Sequence, residues 1–164
     1  MNKELRKQQN LLVDAGVGVI LFAVWSVAKV NLYLGLSPFL LEEVSEVAEF
    51  FGLNDILFLA FMITVVVGVL LFQLGVRLYI GLRATAEGKG KNKGYGYLIV
   101  TAVLLITDFQ TNWQTLGVER ILAGEGMTVN LITCVCMEAA SLYVLMELLI
   151  SGIRVKIMRK KMKE

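Results

Sequence analysis

From Ile56 to Val76 the chain carries no charged residue, and a run of about 20 apolar residues is what a helix needs to cross the hydrocarbon core of a bilayer. A helix of a water-soluble bundle would show a polar stripe every 3.6 residues, and this run shows none. Three further apolar stretches give predicted spans at 11–36, 56–83, 95–113 and 127–153. With 164 residues, 57% of them hydrophobic, four spans leave no room for a soluble domain of useful size. The expected fold is all-α, a single integral domain built as a four-transmembrane-helix bundle.

Charge gives the orientation. Lys3, Arg6 and Lys7 precede the first span, and Arg77, Arg83, Lys89, Lys91 and Lys93 cluster around the second connection. A basic tail, 154–164, follows the fourth span. The 36–55 connection holds Glu42, Glu43, Glu46, Glu49 and Asp55 without a Lys or Arg, and the 114–126 connection holds only Arg120. The positive-inside rule then predicts both termini and the 84–94 loop in the cytoplasm of a plasma (inner) membrane. The basic residues are thereby explained without a nucleic-acid partner, and they face anionic headgroups instead. Lys3–Lys7 with Ser26-Val27-Ala28 also fits a signal peptide, but Asp14 interrupts the apolar stretch and hydrophobicity resumes after Ala28. An uncleaved first helix is the expectation.

Ser37-Pro38 marks a helix start, and Leu40, Val44, Val47 and Phe51 then recur at helical spacing with the acids off that stripe. This predicts an extracytoplasmic amphipathic helix over 38–52. The loop Ala84–Gly96 holds four glycines and three lysines but no phosphate-loop ending, and reads as a flexible turn facing lipid phosphates.

Landmarks recur in order. Gly16-Val-Gly18 matches Gly94-Tyr-Gly96, Leu34–Leu40 matches Leu116–Leu122, and Gly75–Ile80 matches Gly152–Ile157. Two readings fit: a duplicated two-helix hairpin, or the shared grammar of membrane helices, with Gly at contacts and Arg at inner ends.

Ionisable residues inside spans are the default functional candidates, because hydrocarbon makes them costly. Asp14 and Arg77 fall at one membrane edge and predict an ion pair between helices one and two, with snorkelling as the alternative. Glu147, too far from Arg154 on its own helix, is expected to contact Gln73, Tyr143 or water. Lys29, Asp108 and Glu138, counted from the inner-edge glycines, all stand about 20 Å above that edge. Together they form a charge layer: a clasp fixing helix register, or a proton or cation site with Glu138 titrating.

No histidine is present. Cys134 and Cys136, two positions apart on a helix, point to opposite sides and cannot pair. No catalytic residue, metal site or cofactor is predicted, and no motif names a substrate. Two classes of function fit. One is a non-catalytic accessory, assembly or scaffold component, alone as a homo-oligomer or with a membrane-protein partner. The other is a small oligomeric transporter or channel using the Lys29, Asp108 and Glu138 layer.

Overall fold

The computed structural model describes residues 3–36, 55–115 and 129–162. These residues form four α-helices and no strand: α1 (Lys3–Leu36), α2 (Asp55–Gly88), α3 (Gly96–Thr115) and α4 (Val129–Lys161). The amphipathic segment 38–52 and the 116–122 landmark lie outside the described residues. Stretches within α1, α2 and α4 are long and apolar enough to cross a membrane, and the apolar part of α3, Gly96–Gln110, is shorter.

The helices outrun the apolar stretches at their basic ends. Helix α1 begins at Lys3, α2 continues to Gly88, and α4 continues to Lys161. The sequence therefore misplaces two features. The segment from Ala84 to Gly88 is helix rather than flexible turn, and Arg154–Lys161 is a helical extension rather than a separate tail. Two of the extensions carry charges that suit the helix dipole: Glu4 in the first turn of α1, and Arg159, Lys160 and Lys161 in the last turn of α4.

Five hydroxyl groups are satisfied within their own helices. Ser26 donates to the Phe22 carbonyl at 2.9 Å, Thr64 to Ala60 at 2.8 Å, Thr101 to Tyr97 at 2.7 Å, Thr107 to Val103 at 2.9 Å and Ser151 to Glu147 at 2.7 Å. Thr64 and Thr107 do this from exposed positions. That bond lets a hydroxyl sit where no water can reach it.

The chain divides into two compact units, one of residues 1–20 with 78–164, the other of residues 21–77. In the first, α1 buries Leu5, Gln8, Leu12, Ala15 and Val19, and α4 buries Ser141, Leu145, Leu148, Ser151 and Val155. Both series advance in steps of three and four, the spacing of one buried helix face. Glycines set the spacing. A Cβ on Gly81 would stand 2.6 Å from the Gly16 carbonyl, and one on Gly88 would stand 2.6 Å from the Gln9 carbonyl. Helices α1 and α2 thus meet backbone to backbone, as small residues allow. Gly152 receives Leu98 and the Tyr97 hydroxyl in the same way, and Gly18 receives Val144.

In the second unit, α2 from Ile56 to Val76 has no buried side chain. Its apolar window has a mean hydropathy of 2.7, against 1.6 for α4. The most apolar helix is the least covered, which is the reverse of a soluble bundle and the order a lipid solvent produces.

Candidate functional site: a charged clasp at the basic end

Glu87 is the most deeply buried charged residue described, with no exposure at all. It stands in the last turn of α2, where the helix closes through paired bonds: Gly90 N–H donates to the Glu87 carbonyl at 3.0 Å, and Lys91 N–H to the Ala86 carbonyl at 3.1 Å. Gly90 takes a φ of +93° to make this closure, a conformation that costs glycine least. The chain is thereby turned back over the helix end towards α3.

Two cations of the α4 extension converge on this end. Lys156 Nζ lies 2.8 Å from Glu87 Oε1, and Arg159 Nη1 lies 3.5 Å from the same oxygen. Lys156 also donates to Asn92 Oδ1 at 3.3 Å and to the Lys93 carbonyl. Arg159 Nη2 donates to the Glu87 carbonyl at 2.8 Å, and Nη1 to the Lys91 carbonyl at 3.4 Å. Three carbonyls of the helix end and the turn, those of Glu87, Lys91 and Lys93, are thus held by α4. Lys156 is itself only 8% exposed, so its ammonium is compensated by three acceptors rather than by water. The Tyr95 ring lies 5.0 Å from the same ammonium.

Helix α3 closes the cluster. The Tyr97 phenol interacts electrostatically with Glu87, yet its hydroxyl and Glu87 Oε2 fall short of hydrogen-bond geometry and have no such partner among the described residues. A small rotation or one bridging water would join them. The clasp therefore ties α2, the 89–95 turn, α3 and α4 into one end.

Beside it a cavity of about 610 Å³ opens, lined by Asn92, Lys93, Tyr95, Lys156, Arg159 and Lys160 among others. A second, apolar groove of about 530 Å³ runs between α3 and α4, lined by Ile106, Phe109, Leu142, Tyr143 and Met146 among others.

The residues singled out in the sequence lie elsewhere. Asp108 and Glu138 are half-buried, each with an interaction partner, one on each of the packed helices α3 and α4. The side chains of Lys29 and Cys134 lie outside the described residues. Asp14 is exposed and Arg77 is buried; the first belongs to one unit and the second to the other. Glu147 is half-buried, Tyr143 is exposed and Cys136 is exposed. Among the described residues no group of three or more His, Cys, Asp or Glu gathers to hold a metal ion.

Glu87 and Tyr97 escaped the sequence reading. One signal was available: Glu87 is the lone acid between Arg83 and Lys93 in a stretch otherwise basic and glycine-rich. The chain matches no protein-family model, no curated protein and no solved structure.

Proposed function

We propose that this chain is a small polytopic membrane protein without catalytic chemistry, an accessory, assembly or scaffold component. It crosses a plasma (inner) membrane four times, with both termini and the 89–95 turn in the cytoplasm. The charge asymmetry between its connections supports that topology. One observation carries the functional reading. The most buried charge among the described residues, Glu87, is spent on joining helices, while no side chain of α2 from Ile56 to Val76 is buried. A firm cytoplasmic end and an open helix in the membrane suit a part that packs against another protein or a second copy of itself.

A photo-crosslinking residue at Phe61 or Phe72 in native membranes tests this. The expected outcome is one reproducible protein adduct, to a second copy or to a distinct membrane protein. Adducts to lipid alone would count against the scaffold reading.

A second reading, a small oligomeric transporter or channel, draws on Asp108 and Glu138, two half-buried carboxylates within apolar stretches of packed helices. Under it Lys29 neutralises one carboxylate and Glu138 exchanges a proton or cation. Glu138→Gln distinguishes the two. The scaffold reading expects unchanged membrane level and unchanged proton or cation flux in proteoliposomes, and the transporter reading expects the flux to be lost.

A further inference from the structure

The clasp and the groove share two helices, and their shared geometry has a use that the scaffold reading leaves open. The cavity at the basic end is lined by Lys93, Lys156, Arg159 and Lys160 among others, and among the described residues the one carboxylate paired with this set is Glu87. Four cations against one anion leave a net surplus of positive charge. Lys156 has its three donors committed to Glu87, Asn92 and Lys93, so it supplies field rather than contacts. Lys93 and Lys160 have no hydrogen-bond or ion-pair partner among the described residues for their ammonium groups, and Lys160 is exposed. They are the donors an incoming anion would meet. At about 610 Å³ the cavity falls within the range of small-ligand sites.

An apolar path leaves this cavity along both helices. On one side it starts at Tyr95, just before α3, which lines the cavity, and continues along α3 through Ile99 and Ile106 to Phe109, all exposed. On α4 it passes from Lys160 through Ile157, Ile153 and Ile150 to Met146, again exposed. Both paths end at the apolar groove, where Ile106, Phe109 and Met146 are lining residues. From Tyr95 to Ile106 the rise is about 16 Å, roughly the depth of one leaflet of a core about 30 Å thick.

We infer that this pair of helices holds an anionic phospholipid of the cytoplasmic leaflet, phosphates in the Lys93–Lys160 cavity and an acyl chain along the α3–α4 groove. A headgroup carrying two phosphate charges answers the charge surplus better than a single one. Tyr95 sits where an aromatic side chain marks the boundary between headgroup and chain. The inference rests on the membrane reading, but not on whether the chain is a scaffold or a transporter.

Native mass spectrometry of the full-length protein in detergent tests it, with cardiolipin, phosphatidylglycerol, phosphatidylcholine or inorganic pyrophosphate added in turn. Retention in the order cardiolipin, phosphatidylglycerol, phosphatidylcholine is expected, with pyrophosphate retained least. The double variant Lys93→Gln/Lys160→Gln leaves the Glu87 clasp intact and is expected to weaken cardiolipin on the order of tenfold without lowering Tm. Ala139→Phe narrows the groove and is expected to weaken cardiolipin while sparing pyrophosphate. Equal retention of phosphatidylcholine and cardiolipin would overturn the proposal. So would cardiolipin retention that the lysine double variant leaves unchanged. Pyrophosphate retained as well as cardiolipin would assign the cavity to a soluble phosphate and overturn the lipid. A chain recovered in the soluble fraction would instead sink the membrane reading beneath it.

Discussion

Helix α2 contains two regions that obey different rules. From Ile56 to Val76 no side chain is buried, although the segment is the most apolar in the protein. From Leu78 to Gly88 the helix buries Ile80, Gly81, Ala84 and Glu87 and contains two tightly fitted glycines. Hydrophobicity decides where the first region lives and leaves its neighbours open, because lipid tails cover leucine as well as protein does. In the second, close packing comes from the absence of side chains and from one compensated charge. Apolarity and burial, nearly synonymous in water, are separate properties here.

The sharpest way to break the second region is through its charge. Glu87→Ala leaves Lys156 buried and unpaired and is expected to cost about 3–5 kcal/mol. Reversible unfolding in mixed detergent micelles would measure it. Replacing Glu87, Lys156 and Arg159 together by Met removes the charges as a set and is expected to restore most of that loss. A triple variant as weak as the single one would mean that the turn depends on these hydrogen bonds rather than on charge balance.

Legibility in the sequence follows the same division. Four helices, three of them with stretches long and apolar enough to cross a membrane, could be read because lipid imposes a composition on every residue of a span, and Ile56–Val76 declares itself without reference to anything else. The clasp could not, because its meaning lies in a pairing across the chain: Glu87 is one acid near a loop until α4 brings Lys156 to it. The end of α2 reads in the sequence as loop and that of α4 as tail, since charged helical turns carry no hydropathy signal. The glycine landmarks show a further limit. Gly75 and Gly152 occupy matching sequence positions, yet Gly152 is crowded by Leu98 and Tyr97 while Gly75 has open space around it. Sequence position alone did not predict which glycine sits in a contact.

Those glycines offer the next test of the comparison. Gly81→Ala or Gly88→Ala would drive a Cβ against a backbone carbonyl and is expected to cost about 1–3 kcal/mol. Gly68→Ala and Gly75→Ala meet nothing within 4 Å, and each is expected to stabilise the helix by about 0.5–1 kcal/mol. Opposite signs in one helix, measured by the same unfolding titration, would separate its two regions. The smallest effect is expected in the open region. Phe61→Ala and Phe72→Ala remove large side chains that are 63% and 73% exposed, and each should shift stability by less than about 0.5 kcal/mol. A larger loss in purified monomer would show that protein covers this face.

The clasp also imposes an order on biosynthesis. Arg159 follows Glu87 by 72 residues, so at ordinary elongation rates about 4–15 s pass before the ribosome supplies the cation that completes the set. During that interval α3 and most of α4 are made, and the carboxylate in the last turn of α2 waits without its cations. The nascent protein remains an adjustable hairpin while its last helix is being translated, and becomes fixed only when the C-terminal turns of α4 arrive.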